Sequence, residues 1–306
     1  MNPLSRRPQP SATLSRRSLA LLTVGALGAT TLGACSSKQP GGADDGPVHV
    51  FASTSVWASI AKNVGGDLVE VFTPIAKADM NPHEYEASAS DKLKASQAKV
   101  AVINGGGYDT WAEQLIESTR TQPSVVDAFD EGNFAEGDNE HVFYSLAAAQ
   151  ATASATAKAL AEASPENKDA FTKNAETFTA KIQELRDRCK AWSTKNPSAK
   201  VVSTESVAEY LVADLGLEDA TPPEYIRQSE SESGASVAVI EKTLRTLGSE
   251  ARILLVNGQT EDAVSKKLVD RAKQTDSRIV KVYETFPEGT TDYIAFMNEA
   301  ISAITG

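Results

Sequence analysis

The sequence predicts an α/β protein of two lobes, each with a mostly parallel sheet flanked by helices, joined by a long helix. Three observations carry this. Short apolar, β-branched runs alternate with helical segments both before about residue 130 and after about residue 200, the pattern of parallel sheets covered by helices. The stretch between them is rich in Ala, Glu, Lys, Gln and Leu, with one proline (Pro165) and no glycine between residues 145 and 192, the texture of long helices. A length of 306 residues also favours two domains over one.

The first segment reads as an address. Residues 1–34 hold Arg6, Arg7, Arg16 and Arg17 and no acid, followed by an apolar run from 19 to 32 thinned by Gly and Thr. That run is too short and too glycine-rich to span a bilayer comfortably, and a basic start before it marks an export signal. Ser15-Arg16-Arg17-Ser18-Leu19 looks like a twin-arginine motif, although paired arginines also occur in ordinary secretory signals. Leu32-Gly33-Ala34-Cys35 resembles the bacterial lipoprotein box, which makes Cys35 the expected site of a diacylglycerol anchor. The alternative is a plain signal cut near Ala34. Residues 35–47, with Ser36, Ser37, Gly41 and Gly42, read as a flexible tether. Removing the four arginines takes the net charge from −11 to −15.

The N-terminal lobe is expected over 48–164. Residues 48–52 (VHVFA) read as a strand, 56–64 as a helix ended by the turn Gly65-Gly66-Asp67, and 68–73 as a strand stopped by Pro74. A helix follows over 91–98 with Ser90 as its cap, then a strand at 100–103, a helix at 111–118 and a strand at 125–128. Two long helices fit 145–163 and 165–195, with Ser164-Pro165 starting the second, so the linking segment is placed at 165–198. The C-terminal lobe, 199–306, resumes the alternation. It has strands at 200–203, 253–256 and 279–282 and helices at 207–215, 237–247, 261–275 and 292–304.

Composition narrows the function. With 30 Lys+Arg against 41 Asp+Glu, the chain lacks the basic footprint of a nucleic-acid binder and would not cling to an anionic membrane by charge. Two cysteines exclude a disulfide scaffold. With Cys35 consumed by lipid, Cys189 has no partner and reads as an idle thiol in a helix.

Four potential metal ligands stand in loops, mostly just past strand ends: His83, His141, Glu205 and Glu284. Each also has a plain reading: a solvent-facing loop histidine, a helix-start histidine, a first-turn acid favoured by the helix dipole, and a loop carboxylate. Taken together, two imidazoles and two carboxylates, two per lobe, could meet at the sheet edges where open α/β folds bind ligands. Their charge of about −2 balances a divalent cation. His49, inside the first strand, reads as structural.

Asn81-Pro82-His83-Glu84-Tyr85-Glu86 resembles the PHEYEP segment of the solute-binding lipoproteins that serve zinc and manganese ABC importers. Further segments match in order: Val64-Gly65-Gly66-Asp67, Asn104-Gly105-Gly106-Gly107-Tyr108-Asp109-Thr110-Trp111, Glu140-His141-Val142-Phe143, Glu205 with Glu209-Tyr210-Leu211, Val256-Asn257-Gly258-Gln259-Thr260, and Glu284-Thr285-Phe286-Pro287-Glu288-Gly289. The resemblance spans about 48–306. It implies two α/β lobes joined by a rigid helix, with the metal between them held by His83, His141, Glu205 and Glu284. It further implies a membrane permease as partner, a monomeric binding protein and no enzymatic activity. The expected location is the outer face of the cell membrane, with the lipid on Cys35 as anchor, and an adhesin role is compatible with import. Two departures stand out. Phe143-Tyr144 replaces the family's WLD, and Ala87 replaces the proline that closes the first motif, so a less stiff loop is expected.

The donor set leaves the ion open. Bidentate Glu205 and Glu284 would favour harder Mn²⁺, whereas intrinsic affinity places Zn²⁺ above Mn²⁺, and Fe²⁺ stays among the candidates. Two rival readings remain: a binder of an organic ligand or chelated iron, using Trp57, Tyr85 or Tyr108, and a metallo-hydrolase. The second would need an open metal position and a general base, and no HExxH motif or nucleophile elbow is present.

Overall fold

The computed structural model describes residues 46–78, 80–229 and 234–306; the export signal, Cys35 and nearly all of the tether lie outside the described residues. Four short apolar runs, β1 (Val48–Ala52), β2 (Val69–Phe72), β3 (Val100–Ile103) and β4 (Ser124–Asp127), pair in parallel in the order β2-β1-β3-β4. They are connected by α1 (Ser55–Gly65), α2 (Ala89–Ala95) and α3 (Thr110–Glu117), and β4 runs into the single turn α4 (Ala128–Glu131). The long pair α5 (Leu146–Ala163) and α6 (Lys168–Lys195) follows. The second sheet repeats the plan. β5 (Lys200–Ser203), β6 (Glu218–Asp219), β7 (Ile253–Asn257) and β8 (Arg278–Val282) pair in parallel in the order β6-β5-β7-β8. Its helices are α7 (Glu209–Asp214), α8 (Pro223–Ser229), α9 (Val237–Ser249), α10 (Ala263–Gln274) and α11 (Tyr293–Thr305).

Strand order reverses beside β1 in one sheet and beside β5 in the other. The loops after β3, β5 and β7 therefore leave from the switch points where such sheets leave a crevice.

Period-two alternation splits each sheet between two cores. Val50, Ala52, Val100 and Val102 face a central cluster, while Phe51, Ala101 and Ile103 pack outward with Leu115 of α3. In the second sheet Val201, Ile253 and Leu255 face the same central cluster, and Val202, Leu254 and Val256 pack outward with Leu268 of α10. The central cluster is continuous through α1, α5, α6 and α11, so the two halves share one core and residues 46–306 form one compact unit.

The face of α6 explains this. Phe171, Ala175, Phe178, Ile182, Leu185 and Cys189 are buried at alternating spacings of four and three, while the rest of the helix is largely charged and exposed. Cys189 is the last member of that seam. It is buried and free, and burial pushes its thiol up to about 11, which keeps it protonated and unreactive at neutral pH.

Several expected elements shift. The second long helix does not begin at Pro165: residues Pro165–Asn167 form a 3₁₀ turn and α6 starts at Lys168. α7 starts at Glu209, later than expected, so Glu205 lies in the irregular turn before the helix and not in its first turn. Cap geometry places α2 after Ser88, whose hydroxyl accepts the Asp91 N–H while the Asp91 carboxylate accepts the Ser88 N–H. β6 and α8 were not foreseen. Two residues reading Glu-Asp carry no strand periodicity, and α8 follows directly on Pro222. His49 is exposed on β1, with its Nδ1 3.5 Å from Glu70 across the strand pair.

Candidate metal centre

His83 is carried by the loop after β2. Asn81 Oδ1 accepts the His83 N–H at 2.9 Å, and the carbonyl of Pro82 accepts the indole N–H of Trp111 in α3 at 3.0 Å. Tyr85 stacks edge-on against Trp111 and donates to Asp91 at 2.8 Å. These contacts tie residues 81–85 to α2 and α3, ahead of Ala87.

His141 caps a 3₁₀ turn at Val142–Tyr144. Its Nδ1 lies 2.7 Å from Asn139 Oδ1, which also accepts the His141 N–H at 2.9 Å. An amide oxygen only accepts, so the ring proton sits on Nδ1 and Nε2 keeps its lone pair. The other end of the Asn139 amide donates to Ser206 O at 2.8 Å and Glu209 Oε2 at 2.7 Å, fastening this loop to the turn that carries Glu205. Tyr144 exchanges two 3.1 Å hydrogen bonds with the backbone of Tyr283, the neighbour of Glu284, and Tyr293 Oη donates to Phe143 O at 2.8 Å. Phe143-Tyr144, in place of WLD, thus links the second histidine to the fourth candidate.

Glu284 follows β8 and is nearly fully buried. Its Oε2 is 3.2 Å from His83 Nε2 and 3.3 Å from Tyr108 Oη, and its Oε1 accepts from Asn257 Nδ2 at 2.9 Å. Backbone N–H groups of Glu284 and Thr285 both donate to Gln259 Oε1, at 2.5 and 3.2 Å, which holds the loop.

His83, His141 and Glu284 bring ligand atoms all within 4.8 Å of one another, the only such group of three or more His, Cys, Asp or Glu among the described residues. Edges of a tetrahedron with bonds near 2.1 Å measure about 3.4 Å. The His83–Glu284 edge is already at that scale.

Glu205 stands outside the group of three and is joined to it by one side chain. Asn257 Nδ2 donates to Glu205 Oε2 at 2.8 Å as well as to Glu284, and the Thr260 hydroxyl donates to Glu205 Oε1. A further acid, Glu140, has its Oε1 3.8 Å from His83 Nδ1.

Burial and charge set the protonation. Burial drives His141 down to about 4, against the pull of Glu284, so it is neutral at neutral pH. Burial also acts to lower His83, but Glu284, by hydrogen bond and charge, together with Glu140 and Glu205, outweighs it and raises His83 above its ordinary value. Burial would raise Glu284, yet the hydrogen bond from His83, the charges of both histidines and Asn257 bring it below the usual carboxylate range. Burial and the charge of Glu284 push Tyr108 well above its ordinary value, so it stays a neutral donor.

Tyr108 and Asn104 are placed by the glycine run between them. Gly105 and Gly106 have φ of 75° and 62°, and a Cβ on Gly105 would fall 2.0 Å from Asp127 Oδ1. The turn lets Asp109 accept N–H groups of Asn104 and Gly105, while Asn104 Nδ2 donates to Glu140 O at 2.8 Å beside His141.

A cavity of about 390 Å³ opens beside Glu284. It is lined from one side by Met80, Asn81 and Pro82 and from the other by Gly258, Gln259 and Thr260. Of the aromatic residues considered for an organic ligand, Trp57 is fully buried in the core, Tyr85 is engaged by Asp91 and Trp111, and Tyr108 packs against His83 with ring centroids 4.6 Å apart. Among the described residues no arginine lines the cavity. The sequence assigned no metal-site role to Asn139, Asn257 or Glu140, and offered Tyr108 only as a contact for an organic ligand. The signal for Asn257 was an amide closing an otherwise apolar strand, ILLVN.

Comparison with known proteins agrees with this architecture. The chain is 28% identical over 246 residues to the manganese ABC transporter substrate-binding lipoprotein PsaA of Streptococcus pneumoniae, covering 75% of this chain and 79% of that one. It is 27% identical over 248 residues to the metal ABC transporter substrate-binding lipoprotein SsaB of Streptococcus sanguinis, with the same coverage. The SBP FpvC of Pseudomonas aeruginosa, solved in complex with Mn²⁺, superposes with a TM-score of 0.70 at 21% identity, over 85% of this chain and 97% of that chain. A Mn-bound periplasmic metal-binding protein of candidatus Liberibacter asiaticus gives 0.69 at 19% identity, over 84% and 98%. At these identities the two structures establish the shared fold. The family model for the zinc-uptake complex component A, periplasmic, matches residues 50–306, and the chain belongs to that family.

Proposed function

We propose that His83, His141 and Glu284, completed by Glu205, hold one Zn²⁺ or Mn²⁺ between the two halves of the molecule for delivery to a membrane permease. As a member of its family, the chain is the solute-binding component of a metal ABC importer and not an enzyme. The observation that carries the assignment of residues is the convergence of three ligand atoms from separate loops within 4.8 Å, with Asn257 joining Glu205 to them. His83 and His141 come from the lobe proposed at 48–164, and Glu205 and Glu284 from that at 199–306, with 165–198 linking them.

The ion displaces the proton that His83 shares with Glu284, and His141 offers a lone pair already free. The network of Asn139, Tyr144 and Gln259 holds the ligand loops, so capture needs only local contraction. The lipid on Cys35 and the tether 35–47 keep the protein at the outer face of the membrane, as a monomer, near its permease.

Competition loading followed by elemental analysis tests the site. Wild type is expected to retain one ion per chain, and His83→Ala and Glu205→Ala to lose it or hold it far more weakly. Unchanged stoichiometry in both variants would reject these ligands. Mass spectrometry of membrane-fraction protein, with Cys35→Ala as comparison, tests the anchor.

A further inference from the structure

Asn257 has its amide fixed in a single orientation. It is 1% exposed at the end of β7, in register with Val282 of β8. Its Oδ1 accepts the Gln259 N–H at 3.0 Å, and its own N–H donates to Thr204 Oγ1 at 3.1 Å. With Oδ1 committed to a donor, the amide cannot flip, and both Nδ2 hydrogens point at acids: Glu205 Oε2 at 2.8 Å and Glu284 Oε1 at 2.9 Å.

A carboxylate that binds an ion through both oxygens must swing each of them toward it. Here one oxygen of each acid is drawn to the same buried nitrogen. The other oxygen of Glu284 faces His83, and the other oxygen of Glu205 receives the rotatable hydroxyl of Thr260. Resting on the site proposed above, we infer that Asn257 is a specificity-determining residue that clips both carboxylates into one-oxygen coordination. The clip holds the site at two nitrogens and two oxygens and so favours zinc over manganese.

The chemistry follows from ligand number. Zn²⁺ accepts four ligands in a tetrahedron without loss, whereas Mn²⁺ is best satisfied by about six, mostly oxygen. Bidentate acids would supply the extra oxygens, and the clip opposes this.

The test compares wild type with Asn257→Ala and Asn257→Ser by zinc–manganese competition, with infrared difference spectra of the carboxylate stretches on loading. Wild type is expected to prefer zinc and to show the wide band separation of one-oxygen carboxylates. The variants are expected to shift the zinc-to-manganese affinity ratio at least about tenfold toward manganese, with the narrower separation of bidentate acids. Two-oxygen carboxylates in the zinc-loaded wild type would overturn the inference without recourse to any variant. So would variants that bind one ion with an unaltered ratio. If wild type takes up no ion, or His83→Ala binds as wild type does, the metal site itself fails instead.

Discussion

The two candidate histidines are prepared differently for the same ion. His141 is buried, held near 4 and oriented by Asn139, so it meets a cation as a neutral donor across the physiological range. His83 is raised above its ordinary value by the acids around it, so below that raised pKa it carries a proton that the ion must displace. The sign is fixed by this asymmetry: metal affinity is expected to fall as pH drops through the raised pKa of His83 and to level off above it. About one proton should be released per ion at pH values below that pKa, not two. Calorimetry in buffers of different ionisation enthalpy measures this number, and two protons released near neutral pH would contradict a neutral His141. Asn139 offers a second test. Asn139→Ala removes the acceptor from His141 Nδ1 and the tie to Ser206 and Glu209, and should weaken metal binding about 10–100-fold, read by competition with a chelating dye.

At the scale of elements, the candidate ligands depend on loops leaving the strand C-terminal ends, and these are stapled by polar side chains. The loop after β3 is constrained by its backbone as well as by its side chains. Gly105→Ala places a Cβ in the left-handed region, at about 1–2 kcal/mol, and also against the Asp127 carboxylate. It should lower the denaturation midpoint and weaken metal binding together, because Tyr108 and the Asn104–Glu140 link move with the turn. The strands at 100–103 and 200–203 were legible to the residue, since each is a four-residue run with a turn or loop on either side. Candidate ligand positions could be picked out because each stands beside a motif. Their separations were not: that Glu205 reaches the other three through Asn257 depends on β5 and β7 being neighbours, and strand order is not written in local pattern.

Among the described residues the molecule has two sheets, and one central core runs continuously through both halves, with a smaller outward cluster behind each sheet. α6 buries its seam of Phe171, Phe178, Ile182 and Leu185 in a cluster that also takes in Val50, Trp57, Leu255 and Phe296. Opening the lobes widely would expose that apolar surface, so scattering profiles with and without metal should show almost unchanged overall dimensions. A large change would reject the shared-core account. The same continuity predicts cooperative unfolding of both halves. Ile182→Ala, at a fully buried position, should cost about 2–5 kcal/mol and shift a single transition. Two separated transitions by circular dichroism would show that the lobes fold independently.

The sequence by itself determined the class of fold, the alternation in both halves, the long helical middle and the four candidate ligands. These properties reside in local periodicity, turn chemistry and short motifs, which act between residues close along the chain. Only the tertiary structure decided that the lobes share a core, that Asn139, Tyr144 and Gln259 lock the loops together, and that one amide of Asn257 spans both acids. Those contacts join residues dozens of positions apart, and their formation depends on strand order and on which faces of the helices meet.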